Sequence, residues 1–239
     1  ILCPNFWRKT MDNIIELAHT LSPYTLCGEG NVSGRSSSVY TDIKGEESFW
    51  IKASGTSLDT LKKEDLVPCR MNGVPYDGLG LKPSMEVSFH AWILNNYPEV
   101  NYVAHTHPTY TNQILCSKSA YSFAENRLFP DQVVRNGRKS CIVPYATPGK
   151  ELRDEIKKQI EYFIEDEGFF PKLILLENHG IITTGETHTE CIASTLMCEK
   201  SAQIFVGARS LGQVQFLTEE QVAAVDKCPN EAYRRKLFK

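Results

Sequence analysis

A chain of 239 residues with 41% hydrophobic and 23% charged residues, 15 Gly and 12 Pro has the composition of a globular protein, which excludes collagen-like, coiled-coil and disordered classes and leaves length enough for a sizeable core. Its formal net charge of −3 and pI of about 6.1 supply no basic field to hold nucleic acid or an anionic membrane surface. No apolar run approaches the roughly 18–20 residues that span a bilayer, the amino end from Ile1 to Arg8 lacks the charged-then-apolar layout of a signal peptide, and a first residue that is Ile rather than Met suggests a processed or trimmed start.

Ile14, Ile15, Leu17, Ala18 and Leu21 share one helical face, so the spacing predicts a helix over 6–21 that Ser22-Pro23 ends. Gly28, Gly30, Asn31, Ser33 and Gly34 read as a loop. Ser38-Val39-Tyr40 and Ser48 to Lys52 read as two strands joined by the polar stretch Asp42 to Glu47, with Ser54-Gly55 ending the second. Pro83 at a first-turn position and Ser84 lead into Met85, Phe89, Trp92 and Ile93, a second helix stopped by Pro98. Short strands are predicted at Tyr102 to His105, Ser140 to Val143 and Lys172 to Leu176, the last apolar enough for burial on both faces. Leu152, Ile156, Ile160 and Ile164 recur every fourth residue, the stripe of an amphipathic helix. Thr187-x-x-Glu190 and Thr218-x-x-Gln221 are capping boxes, opening a long helix to about Val206 and a short one near the end. Without repeats, low-complexity tracts or a Gly/Ser/Pro-rich linker, residues 1–239 read as one domain of mixed α and β.

His105-Thr106-His107 at a strand end is the strongest chemical signal. Side chains two apart on a strand share a face about 6.6 Å apart along it, so both rings can converge on one metal ion. His179, in Glu177-Asn178-His179-Gly180 after a buried strand, is the candidate third ligand, and three imidazoles with a position left open suit a catalytic rather than a structural site. His19, His90 and His188 have no such companions and read as structural or surface residues. Glu86 in the first turn of the second helix complements the helix dipole, or, near a metal, is a ligand or general base. Gly30-Asn31-Val32-Ser33, Ala53-Ser54-Gly55-Thr56 and Ser84 are turns and a helix start whose amides and hydroxyls suit an anion. Eight cysteines without a C-x-x-C pair fit the reduced thiols of a cytoplasmic protein.

In chain order, Gly30-Asn31-Val32-Ser33, Ser54-Gly55-Thr56, Ser84-Met85-Glu86, His105-x-His107-Pro108, Pro144-Tyr145 and Asn178-His179-Gly180 resemble the class II aldolase family, which includes fuculose- and rhamnulose-phosphate aldolases, ribulose-phosphate 4-epimerase and adducin heads. The resemblance implies an α/β fold in three α-β-α layers, a central, mostly antiparallel sheet flanked by helices, assembled as a four-fold homotetramer with metal sites near subunit interfaces. It implies zinc or another divalent ion on His105, His107 and His179, with Glu86 as fourth ligand of the resting site and as base once substrate displaces it. Asn31, Ser54, Gly55 and Ser84 would receive the substrate phosphate. The implied activity is that of a lyase in carbohydrate metabolism, cleaving a ketose phosphate to dihydroxyacetone phosphate and an aldehyde while the ion stabilises the enediolate charge.

The alternatives are dehydration or 4-epimerisation of a sugar phosphate at the same site, and a non-catalytic adducin-like interaction module. Glu86 favours the aldolase, because family epimerases carry Asp there, and the three retained histidines disfavour the module. The tail from Glu199-Lys200-Ser201-Ala202 to Tyr233-Arg234-Arg235 is similar to the aldolase half of sugar-catabolic fusions with a dehydrogenase. Three departures from the family pattern stand out. Met85 replaces a frequent Ser, and Asn126 stands where some members have an active-site Tyr, leaving Tyr110, Tyr145 and, from a neighbouring subunit, Tyr233 as candidate proton donors. Glu29 replaces a small neutral residue, and its carboxylate repels a phosphate unless it points away.

Overall fold

Successive side chains on a strand point to opposite faces of a sheet, and here both faces are apolar, which calls for a helical layer on each. A computed structural model describes residues 6–36, 47–76 and 80–236. Strands β1 (Asn31–Ser36), β2 (Ser48–Lys52), β3 (Leu66–Arg70), β4 (Tyr102–Thr106), β5 (Cys141–Val143), β6 (Leu173–Leu176) and β7 (Gly180–Gly185) form one sheet in the order β3-β2-β1-β4-β7-β6-β5. Every neighbouring pair is antiparallel except β5 with β6.

On one face, Phe49, Ile51, Val103, Ile174, Leu176 and Ile182 pack against α2 (Val87–Asn96) and α6 (Lys150–Glu167), which contribute Phe89, Ile93, Leu152, Ile156 and Ile160. On the other, Val32, Trp50, Tyr102 and Ala104 meet Ile14, Leu17 and Leu21 of α1 (Phe6–Leu21). Leu173, Leu175 and Ile181 meet α3 (Thr109–Leu115) and α7 (His188–Leu211) through Ile114, Cys198 and Phe205. Each fully buried Ile or Leu contributes about 1.5–3 kcal/mol through the apolar area it removes from water. The result is a three-layer α-β-α fold with α4 (Ala120–Glu125), α5 (Pro130–Asn136), α8 (Glu219–Asp226) and α9 (Pro229–Lys236) completing the α-helices among the described residues. None of the described helices is long and apolar enough to cross a membrane.

Several boundaries differ from the expected ones. Asn31 to Ser36 is a strand, not a loop: its Gly and Ser content is poor for a strand in isolation, but pairing with β2 on one side and β4 on the other overrides propensity. The second helix starts at Val87 rather than at Pro83, because Pro83 bridges Ala53 and the Ser84 N–H bonds to Lys52 O (3.0 Å). α7 runs on to Leu211. Both capping boxes are present, at Thr187–Glu190 and Thr218–Gln221. The strand expected at Ser38–Tyr40, most of the connection from Asp42 to Glu47, and Cys3 lie outside the described residues.

Candidate metal centre

Register builds the centre. Asn31 of β1 lies opposite His105 of β4, and opposed residues on paired strands present their side chains to the same face, here the face covered by α2. His107 follows β4 on the same side. His179 comes from the tight turn between β6 and β7, where Asn178 takes a left-handed φ of 55° and the Asn112 Nδ2 donates to His179 O (3.1 Å). Gly180 makes the approach possible: a Cβ there would stand 2.5 Å from His107 Cδ2 and 2.5 Å from Thr106 O.

The three imidazoles meet. One nitrogen of each lies within 4.8 Å of the others, with His105 Nε2 and His107 Nε2 3.0 Å apart. Glu86, immediately before α2, places Oε2 3.3 Å from His105 Nε2 and Oε1 3.6 Å from His179 Nε2. Its carboxylate therefore faces the cluster, and it makes no side-chain cap bond to the helix. Burial pushes the His105 imidazole well below its ordinary range, and neighbouring His107 and His179 push it the same way. Burial also lowers His179, against an opposing pull from Glu86. Protonated imidazolium is disfavoured there, and the neutral imidazole, the form that can ligate a metal, is favoured. His105 Nδ1 donates to Ile181 O (2.9 Å), which leaves the Nε2 lone pair facing the cluster.

Behind Glu86 runs a buried chain of hydrogen bonds that sequence reasoning missed. Asn31 Nδ2 donates to Glu86 Oε2 (2.7 Å); His90 Nε2–H donates to Asn31 Oδ1; Ser33 Oγ–H donates to His90 Nδ1 (2.7 Å). His90 is fully buried and stacked on Phe89, the structural role expected for it. Its spacing four residues after Glu86, on one helix face, is the signal that links the two. His19 bonds Leu61 O and His188 bonds Glu16, both outside the cluster.

The proposed phosphate residues surround the end of β2. Ser54 and Gly55 are exposed, while Ser84 is buried with its Oγ accepting from the Glu86 N–H (3.3 Å). Lys52, also passed over in the sequence, is buried beneath the preceding loop and donates from Nζ to Gly28 O (3.1 Å). Glu29 points inward: its Oε2 lies 3.2 Å from His107 Nδ1. No hydroxyl of Tyr110, Tyr145 or Tyr233 bonds to the cluster among the described residues, and Tyr145 and Tyr233 are exposed. Asn126 caps α4 through a bond to Ser122 O (2.9 Å) and lines a separate cavity of about 490 Å³ with Arg127 and Arg138.

A family model described as the class II aldolase and adducin N-terminal domain matches residues 14–206. The chain belongs to that family. Among curated class II aldolase relatives, an L-fuculose phosphate aldolase of Methanococcus maripaludis is 28% identical over 194 residues, covering 80% of this chain and 93% of that protein. A 3-oxo-tetronate 4-phosphate decarboxylase of Haemophilus influenzae is 28% identical over 200 residues, covering 83% and 86%. The crystal structure of YgbL from Escherichia coli matches with a TM-score of 0.73 at 21% identity, covering 92% of this chain and 99% of that one, a likeness of fold.

Proposed function

We propose that this class II aldolase family member is a divalent-metal-dependent lyase acting on a phosphorylated ketose, with retro-aldol cleavage to dihydroxyacetone phosphate and an aldehyde as its reaction. The convergence of His105, His107 and His179 beside the Glu86 carboxylate carries this reading. The donor set fits a divalent ion: three imidazole nitrogens, favoured in neutral form by burial at His105 and His179, with a carboxylate within reach. A divalent ion held there, zinc by the preference of imidazole ligands, supplies a Lewis acid for the negative charge that develops on the substrate oxygens.

The chain's own residues then carry the proton and the orientation. Glu86 is the base, and because Oε2 is already bonded to Asn31, the substrate hydroxyl proton passes to Oε1. Asn31, His90 and Ser33 hold the carboxylate in place. The Ser54-Gly55 turn, Ser84 and the second Nδ2 hydrogen of Asn31 receive the phosphate, so that binding energy remote from the reacting carbons orients them.

Decarboxylation of a phosphorylated 3-oxo acid is the second reading, supported by the relative of that name at equal identity. Both reactions leave the electron pair of a broken C–C bond beside a carbonyl, so the same residues serve either. The test is metal analysis of the purified protein together with a screen of ketose phosphates and phosphorylated 3-oxo acids. We expect one divalent ion per chain and release of dihydroxyacetone phosphate. Carbon dioxide release without aldehyde selects the second reading, and a metal-free protein inert toward both classes overturns the proposal. The assembly we propose is a homotetramer, in line with the exposed Leu26 (73%) and Met85 (86%) flanking the site loops; light scattering at the mass of one chain overturns it.

A further inference from the structure

We infer that Glu29 is a positioning residue for the metal centre: its carboxylate fixes His107 in the tautomer that turns Nε2 to the cluster. The inference rests on the metal-dependent reading above and adds a residue to it. Oε2 of Glu29 lies 3.2 Å from His107 Nδ1 and accepts from the Leu26 N–H at 3.1 Å. The loop that carries it is tightly wound. Cys27, Gly28 and Gly30 have φ of 46°, 90° and 67°, the Glu29 N–H bonds to Leu26 O (2.9 Å), and the His107 N–H bonds to Tyr24 O (3.0 Å). Gly30 has no room for a side chain, since a Cβ would stand 2.8 Å from His105 O and 2.6 Å from Thr25 Cγ2. The loop is thus strapped to the segment bearing both histidines, and the carboxylate has a fixed place over the outer nitrogen of His107.

The chemistry follows from the acceptor. An imidazole that donates Nδ1–H to a carboxylate keeps its lone pair on Nε2 and gains basicity as a ligand. His105 has a carbonyl in the same role, Ile181 O at 2.9 Å; His107 has an anion. The side chain of Glu29 is 46% exposed, so as an ion pair alone it contributes little to stability, and its effect falls on the orientation of His107. A carboxylate in this loop, unfavourable to a nearby phosphate, is accounted for by its bond to His107.

The test uses the full chain and three variants, Glu29→Ala, Glu29→Gln and Glu29→Asp, with two readouts. In metal-free protein, where His107 Nε2 lies 3.0 Å from His105 Nε2 and Nε2–H donation there competes with Nδ1–H donation to Glu29, ¹⁵N NMR of the histidine side chains is expected to show His107 as the Nδ1–H tautomer in the parent and Glu29→Gln, and shifted toward the Nε2–H tautomer in Glu29→Ala. In competition with a chromogenic chelator, Glu29→Ala is expected to bind Zn²⁺ about 10–100-fold more weakly than the parent, with Glu29→Gln or Glu29→Asp recovering part of the loss. An unchanged tautomer in Glu29→Ala, or unchanged affinity in a parent that binds Zn²⁺, overturns the inference. A parent that binds no Zn²⁺ overturns the metal-dependent reading instead, and the tautomer still decides the role of Glu29. Should Glu29→Ala fail to fold, the comparison of parent with Glu29→Gln decides: equal tautomer and equal affinity would sink the role of the charge.

Discussion

Glu86 carries two readings that a single substitution separates. A carboxylate at a helix start stabilises the helix by about 0.3–1 kcal/mol through the dipole, a role that leaves turnover untouched. The structure turns the carboxylate to the histidines, with Asn31 holding Oε2 at 2.7 Å. We therefore expect Glu86→Gln to fold with a parental circular-dichroism spectrum and to lose at least about 100-fold in kcat on its best substrate, the usual scale for a missing general base. Near-parental kcat would return Glu86 to the helix. The three clustered histidines were legible because they sit in short, distinctive strings, H-x-H and N-H-G, whose geometry follows from strand and turn. Glu29, Lys52 and the chain from Ser33 to Asn31 were less so, since each acts through a partner 24 to 78 positions away that only the tertiary fold brings close. The direction of Glu29 is the plainest case: its loop orients the carboxylate through the Leu26 N–H, but only the tertiary fold brings His107 to it.

At the scale of elements, the helices with apolar stripes and caps, α1, α6 and α7, were readable because pattern and local hydrogen bonding agree there. α1 spans Phe6–Leu21 as the periodicity predicts. β1 was not, because its Gly and Ser residues are chosen for close approach to α1, Tyr102 and the site rather than for strand propensity. Nor were β3 and α3 to α5, which are short and bounded by few distinctive stops. The turn from β6 into β7 shows the same priority of close approach. Its Gly180 lies against His107 and Thr106 O, and neither the backbone oxygen nor the His107 ring, packed among the clustered imidazoles, can give way freely. Gly180→Ala should cost about 1–3 kcal/mol by overpacking and weaken Zn²⁺ binding at the same time. Urea unfolding of chelator-treated protein and chelator competition measure the two separately. A variant unchanged in both would mean that the turn adjusts without moving the ring.

Stability of the whole molecule is tied to pH through the buried histidine at the back of the site. His90 is surrounded by Asn31 and Ser33 from β1, Phe89 beside it, His105 from β4 and Glu86 one turn earlier on its own helix face. It is fully buried, donates from Nε2 and accepts at Nδ1, so the neutral form satisfies both ring nitrogens. Burial pushes its titration well below the ordinary histidine range, and His105 adds to the shift. In the unfolded chain the same imidazole takes up its proton near pH 6.5. The unfolded state therefore takes up a proton that the native state does not as the pH falls through about 6.5, and stability, full well above that pH, declines on acidification toward a limiting slope of about 1.4 kcal/mol per pH unit for this group. Paired carboxylates also respond to acid, but they do so equally in a protein lacking His90. His90→Gln preserves an amide donor toward Asn31 and an acceptor for Ser33 while removing the titration. With metal chelated, urea-unfolding free energies of the two proteins between pH 7.5 and 5.5 should diverge, the parent falling more steeply by about one proton's worth of slope below pH 6.5. Parallel curves over that range would mean that His90 is protonated in the folded protein, and the hydrogen-bond chain from Ser33 to Glu86 would have to be redrawn with an imidazolium at its centre.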